Sequence, residues 1–319
     1  MGPPVRTAVV IPTYRVTSHI LEVVRGIGPE VDRIYVVDDC CPDGSGTLVT
    51  SEIRDPRVSV IFHEANQGVG GATLTGMKQA SDDGADVIVK IDGDGQMDAR
   101  LISDFVLPIA AGEADYCKGN RFFYLDNLRG MPAHRIVGNA VLSFVTKVSS
   151  GYWDVFDPTN GFIALRAATF RNVEAHKVAR RYFFESDMLF RLYLVGAVVR
   201  DIPIRSIYGA ELSGLKVIHN AWPFAIGNVG NAIRRIGYTY YLRDLNMGSL
   251  LLPIGLLLTI FGLTFGVANW WSAGQRGVEA SAGTVMLAAL PIIIGFQSLL
   301  GFLTIDISKT PRLPQGRKA

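Results

Sequence analysis

Two stretches of this sequence, Leu250 to Trp271 and Gly283 to Ile305, carry no charged residue, and they restrict what the chain can fold into more than any other feature. Each is long enough for a helix to cross a hydrocarbon core of about 30 Å at about 1.5 Å per residue. Buried core helices are also apolar, but not so uniformly over such lengths, and hydropathy assigns both runs to membrane spans. They account for a composition foreign to an ordinary soluble enzyme, 49% hydrophobic residues and a mean hydropathy of +0.26 over 319 residues.

Charge then sets the topology. Arg234, Arg235 and Arg243 precede the first run and Lys309, Arg312, Arg317 and Lys318 follow the second, whereas the connecting loop holds only Arg276 and Glu279. The positive-inside rule puts both ends in the cytoplasm, which predicts a multi-pass protein of the cell inner (cytoplasmic) membrane with its polar domain cytoplasmic. The opening Met1-Gly2-Pro3-Pro4-Val5-Arg6 has no apolar signal core and leads straight into a strand. The formal net charge of +2 is uninformative, and nothing in the sequence points to a nucleic-acid partner. Cys40, Cys41 and Cys117 offer neither metal spacing nor a disulfide framework and read as reduced thiols.

The first 219 residues alternate strand and helix patterns. Thr7 to Tyr14, Arg33 to Val37, Val58 to Phe62 and Asp86 to Ile91 read as strands, with an amphipathic segment after the first and a helix reaching about Ser81 after the third. Such alternation implies right-handed βαβ units and a largely parallel sheet, an α/β fold whose ligands bind beyond the carboxyl ends of the strands. Polar clusters stand at those ends: Pro12-Thr13-Tyr14, Asp38-Asp39, Asn66-Gln67-Gly68 and Asp92-Gly93-Asp94. In the last, two carboxylates at a strand end can hold a hard divalent cation, Mg2+ or Mn2+, against a diphosphate, and the glycines admit a ligand close to the backbone. A Rossmann dinucleotide site fits poorly, because Gly68-x-Gly70-Gly71 follows the third strand and not the first.

Val9-Val10-Ile11-Pro12-Thr13-Tyr14, Val36-Val37-Asp38-Asp39 with Pro42-Asp43-Gly44-Ser45-Gly46, Asn66-Gln67-Gly68 and Asp92-Gly93-Asp94-Gly95-Gln96, in this order, resemble the family 2 glycosyltransferases of GT-A fold. The nearest branch is that of dolichol-phosphate mannose synthase and the bacterial polyprenyl-phosphate glycosyltransferases, and the likeness covers roughly residues 7 to 215. The resemblance implies a UDP- or GDP-linked sugar donor, a divalent metal, and inverting transfer to a lipid phosphate. It implies Asp92, Asp94 and Gln96 as metal and diphosphate ligands, and Pro12, Tyr14, Asp38 and Asp39 around the nucleoside, with Gln67 and Asp92 also on the nucleotide sugar. Two departures stand out: Arg15-Val16 replaces the family's Asn-Glu after the tyrosine, and Arg205 to Lys216 replaces the mannose synthases' Arg-x-x-Gly-Glu-Ser-Lys. The sugar is therefore not carried over.

The resemblance also places Arg121, after a strand ending Lys118-Gly119-Asn120, near the acceptor phosphate. A lipid phosphate needs cations at its head and an apolar surface for its tail. Arg129 and Arg135, before an apolar-faced helix from about Ile136 to Ser150, offer both, although a core helix with solvated arginines has the same pattern. Asp157, in Asp157-Pro158-Thr159-Asn160-Gly161, resembles the acceptor-facing loop, and Glu185 and Asp187 match the family's catalytic acidic pair; spacing does not choose between them. An acidic first turn of a helix would look the same.

Ile226 to Leu245 reads as an interfacial helix with arginines toward anionic lipid, or as a helix packed on the catalytic domain. The expected organisation is a catalytic domain over 1–219, a juxtamembrane region over 220–246, two spans over 247–306 and a basic tail over 307–319. Gly262 and Gly266 form a small-xxx-small pair that suits homo-oligomerisation. The function expected is transfer of a hexose to polyprenyl (undecaprenyl or dolichyl) phosphate. The rivals are a saccharide or glycolipid acceptor, a processive synthase, disfavoured by the lack of Gln-x-x-Arg-Trp, and a silent nucleotide-sugar-binding scaffold.

Overall fold

The computed structural model describes residues 5–124, 133–205 and 217–315. The chain divides into two compact units, Met1–Ala232 with Pro311–Ala319, and Ile233–Thr310.

The first unit is built on seven strands, β1 Thr7–Thr13, β2 Arg33–Asp38, β3 Val58–Phe62, β4 Val87–Lys90, β5 Tyr116–Asn120, β6 Ile163–Arg166 and β7 Val199–Pro203, in the order β3-β2-β1-β4-β6-β5-β7. Strands β1 to β4 pair in parallel, Ala8 opposite Arg33 and Ile88, while β6 runs antiparallel to both β4 and β5. The helices are α1 Ile20–Arg25, α2 Ser45–Glu52, α3 Val69–Asp82, α4 Ile102–Ala110, α5 Ala133–Ser150, α6 Ala167–Asn172, α7 Phe184–Leu194 and α8 Val217–Gly237.

Strand β1 is buried throughout, and its period of two feeds both faces of the sheet. Ala8 and Val10 join Tyr35, Ala72, Met77 and Met188 on one side; Val9 and Ile11 join Ile20, Val36, Ile102 and Phe105 on the other. Helix α3 sits hard against β1: a Cβ on Gly76 would lie 2.4 Å from Val10 Cγ1. The strands expected from the sequence are present, and β7, a partly exposed strand with Arg200 and Asp201 in it, joins them at the sheet edge.

Within the first unit α8 is fixed by two asparagines. Ser149 Oγ donates to Asn228 Oδ1 at 2.6 Å, Asn231 Nδ2 donates to Asp187 Oδ1 at 3.0 Å, and Phe224 meets Phe183 edge-on. These bonds carry the unit past residue 219 to Ala232, while Trp222, Ile226 and Val229 on α8 stay exposed. Residues 311–315 also belong here: the Gln315 N–H donates to the buried Asp115 carboxylate, and its side chain bonds Thr169, Asn172 and the Val195 carbonyl.

The second unit contains α9 Met247–Arg276 and α10 Ala282–Ser308, two helices long and apolar enough to cross a membrane. Asn246 and Ser249 form a capping box at the start of α9, and Gly277, at φ +64°, closes its end. The helices meet through glycine: a Cβ on Gly255 would lie 2.9 Å from Leu299, on Gly295 2.5 Å from Thr259 Oγ1, and on Gly262 2.7 Å from the Ala288 carbonyl. Gly262 thus packs on α10, and a Cβ on Gly266 would lie 3.2 Å from Ala288 Cβ. Arg235, expected to point at anionic lipid, is instead buried on Asp306, Nη1 to Oδ1 2.6 Å and Nη2 to Oδ2 2.9 Å, and Tyr240 Oη donates to the same carboxylate at 2.9 Å. The two guanidinium nitrogens of Arg235 satisfy both oxygens of Asp306, which stands one residue past the apolar run.

Candidate active site

Strands β1, β2, β4 and β5 all end at one edge of the sheet, and antiparallel β6 starts there, so residues 159–161 arrive beside the loops that leave the parallel strands. A cleft of about 740 Å³ opens along this edge. Its lining takes Pro12, Tyr14, Asp39, Asn66, Lys90, Asp92, Asp94 and Gln96 from the ends of the first four strands. Arg121, Asn160, Gly161, Arg181, Tyr182, Glu185, Arg205 and Phe224 come from later segments.

Lys90 is the least exposed charge in the cleft, with 1% of its side chain accessible. Its Nζ lies 2.7 Å from Asp92 Oδ1 and 3.6 Å from Glu185 Oε1. Burial alone would lower the lysine's pKa, but the Asp92 and Glu185 carboxylates outweigh it and hold it above its ordinary value. Burial pushes the Glu185 carboxyl up, with Lys90 opposing and Asp92 adding to the rise. Gly161 leaves the space these groups use, since a Cβ there would lie 2.4 Å from Lys90 Nζ and 2.5 Å from Asp92 Oδ2.

Asp92 and Asp94 are half-buried hard-oxygen donors, and Asp94 Oδ1 accepts from the Gln96 N–H at 3.0 Å, while the Gln96 side chain is exposed. Among the described residues no three His, Cys, Asp or Glu side chains come together as a metal cage. Two carboxylates with a neighbouring amide fit a Mg2+-like ion that takes its remaining ligands from substrate phosphates and water, so the residues suit the expected metal.

Of the adjacent pair Asp38 and Asp39, only the second lines the cleft. Asp38 is turned inward, its carboxylate accepting from the Cys41 N–H at 2.7 Å and the Gly46 N–H at 2.6 Å, so it shapes the turn into α2 and lies off the cleft lining. Asp39 Oδ1 accepts from the Gln67 N–H and pairs with His63 Nδ1, each at 2.8 Å, and Oδ2 accepts from the Gly68 N–H at 2.8 Å. Gln67 lies off the lining, its side-chain oxygen accepting from Arg180 at 3.1 Å.

Asp157 and Asp187 are both brought near the cleft but not into it. Asp157, fully buried and at φ +55°, grips Arg121 by Nε and Nη2, each 2.7 Å, and accepts from Asn160 Nδ2 at 3.1 Å. Asp187 accepts from the Ala179 N–H at 2.8 Å, Arg191 Nε at 3.1 Å and Asn231 Nδ2. Of the acidic pair on α7, Glu185 is therefore the one that faces the cleft. Arg129 lies outside the described residues, and of Arg135 only the backbone, in the first turn of α5, is described.

The family 2 glycosyl transferase model matches residues 8–173, just over half of the chain. The chain belongs to glycosyl transferase family 2. The transferase is 30% identical over 213 residues to the UDP-N-acetylglucosamine–dolichyl-phosphate N-acetylglucosaminyltransferase of Methanococcus voltae, covering 62% of this chain and 84% of that one. It is 29% identical to the undecaprenyl-phosphate mannosyltransferase of Micrococcus luteus, covering 66% and 88%. Among solved structures, the glucosyl-3-phosphoglycerate synthase of Mycobacterium tuberculosis with Mn2+ and UDP superposes with a TM-score of 0.53 at 17% identity, over 73% of this chain and 80% of that one. The likeness establishes the GT-A fold.

Among the lining residues of the transferase that sequence reasoning did not assign to the site are Lys90, Arg181, Tyr182 and Arg205. For Lys90 a signal exists, a lysine closing an otherwise apolar strand two residues before Asp92. For Arg181 none does, because its place depends on packing between segments far apart in sequence: the Gly71 N–H donates to the Arg180 carbonyl, and a Cβ on Gly68 would strike that same carbonyl and the Arg181 side chain.

Proposed function

We propose that this glycosyltransferase moves a hexose from a UDP-sugar to a polyprenyl phosphate, anchored in the cell inner membrane by α9 and α10 with the catalytic unit on the cytoplasmic side. The observation that carries the reading is one cleft holding both halves of the chemistry. Asp92 and Asp94 can present a divalent cation to the leaving diphosphate, and the guanidiniums of Arg121, Arg181 and Arg205 line the same space for a second anion. The acceptors named for the relatives, dolichyl and undecaprenyl phosphate, are lipid phosphates.

Such an acceptor needs little general-base help, since a phosphate monoester carries about −1.5 to −2 charges at neutral pH, by analogy with phosphoserine. Rate then comes from holding two anions together and stabilising the departing diphosphate. When bound, the metal supplies Lewis-acid stabilisation of that leaving group. Asp157 keeps the Arg121 fork in place, and Asp39 receives the base.

The base preference follows from the lone pairs of Asp39. Among the described residues, both sides of Oδ1 are taken by His63 and Gln67, and Oδ2 has one partner, Gly68. One open acceptor direction suits the single imide N–H of uracil, whereas guanine offers two adjacent donors that call for both carboxylate oxygens.

Membranes containing the protein, incubated with labelled UDP- and GDP-sugars, polyprenyl phosphate and Mg2+ or Mn2+, test the proposal. The expected product is a lipid-linked sugar from a UDP donor, cleaved by mild acid as a glycosyl phosphate. An acid-stable glycoside would point to a hydroxyl acceptor, with Glu185 as base, and loss of transfer to phosphate would overturn the reading.

A further inference from the structure

Lys90 stands apart from the cations that line the cleft. Arg121, Arg181 and Arg205 reach it from loops; Lys90 rises from the end of β4, in the sheet itself, and its ammonium is packed between two carboxylates. Residue 161 is glycine where any side chain would collide with both Nζ and Asp92. A buried lysine beside a cation-binding carboxylate is costly for a metal site, because the ammonium and the metal compete for Asp92 and repel each other.

We propose that Lys90 is a resident cation of the diphosphate subsite, a binding residue that shifts from Asp92 to a diphosphate oxygen as the metal takes Asp92. This rests on the reading of the cleft as a nucleotide-sugar site. In the resting cleft Lys90 holds Asp92 and Glu185 in place and offsets part of their charge. On donor binding it supplies positive charge that needs no metal, so nucleotide affinity keeps a metal-independent part. Glu185 sets how much of that charge is available, since it draws on the same ammonium from 3.6 Å.

The two ligands should therefore respond to Lys90 in opposite directions. In the full-length protein in detergent, UDP binding is measured by calorimetry in EDTA and again with Mn2+, and Mn2+ binding without nucleotide is followed by electron paramagnetic resonance. Lys90→Met keeps the length of the side chain and removes its charge. It should weaken UDP in EDTA about tenfold or more and tighten Mn2+ without nucleotide by a similar factor. Glu185→Gln removes one competitor for the ammonium and should tighten UDP in EDTA severalfold, which a general loss of folding in either variant does not mimic.

If UDP binds the wild type with Mn2+ but not in EDTA, or if Lys90→Met leaves UDP binding in EDTA unchanged, Lys90 is not a resident cation and this inference fails while the assignment of the cleft stands. A fall in both affinities in Lys90→Met, without the gain in Glu185→Gln, also overturns it and leaves Lys90 a packing residue. Failure of UDP to bind under either condition defeats instead the reading of the cleft as a UDP-sugar site.

Discussion

Asp157 shows how a single residue can serve a site it does not touch. Its carboxylate is inaccessible, and although burial raises its pKa, the Arg121 guanidinium and the nearby Lys118 hold it below the ordinary carboxylate range. A folded-state pKa below the unfolded value adds stability that is present above the unfolded pKa and lost as pH falls through the folded one. With an ordinary Asp near 3.9, the difference in unfolding midpoint between wild type and Asp157→Asn should stay constant from about pH 8 to 5 and shrink only below about pH 4. The variant should also raise the acceptor KM more than the donor KM, because Arg121 loses its fork. By contrast Asp92→Ala should abolish turnover in a radiolabelled transfer assay, and retained metal-dependent transfer would remove Asp92 from the site. The contrast marks what was legible at this scale. Asp92 and Asp94 could be named from a strand end and two glycines. Asp38 and Asp39 could not be told apart, since neighbouring residues at a strand end point to opposite sides, and the amides of Cys41 and Gly46, set by the following turn, claim Asp38.

The segment entering α7 is where element packing decides the chemistry. Residues 179–182 are pinned at one end by Ala179 N–H to Asp187 and in the middle by Gly71 N–H to the Arg180 carbonyl, and Arg191 ties Asp187 to the Lys177 carbonyl. Arg181 and Tyr182, both on the cleft lining, hang from this strap. Asp187→Ala leaves the buried Arg191 without its anion and frees Asn231, a loss on the order of 3 kcal/mol. Its unfolding midpoint should drop and its donor KM rise, with kcat on saturating donor largely kept; a collapse of kcat with an unchanged midpoint would instead make Asp187 a reacting group. The sequence placed the acidic pair on a helix start but not its orientation, because positions two apart on a helix lie about 200° apart and only the partners of each side chain show which one turns inward. Strand β7 escaped notice for a related reason: its Val-Arg-Asp-Ile-Pro run has charges where a core strand has apolar residues, and only its pairing with β5 defines it.

For the whole molecule, the two helices long and apolar enough to cross a membrane were legible because each is an unbroken uncharged run, but the polar contact that organises their unit was not. Asp306 falls one residue past the uncharged run and reads as its border, and Arg235 reads as one more juxtamembrane cation. Together with Tyr240 they instead form a buried, bidentate pair inside the second unit, both side chains 1% exposed. Removing one partner strands the other, which costs about 3–5 kcal/mol, whereas replacing both by apolar groups of similar volume is close to neutral or stabilising. Asp306→Leu and Arg235→Met should each lower the unfolding midpoint of the detergent-extracted protein markedly. The double variant should recover most of that loss, since no unpaired charge remains. Equal losses that simply add in the double variant would mean that the pair is not coupled and that Arg235 and Asp306 act separately. The same coupling bears on truncation: cutting after Asn246 deletes Asp306 but keeps Arg235 and Tyr240, and it also removes the Gln315 bonds to Asp115, Thr169 and Asn172, so that fragment should aggregate.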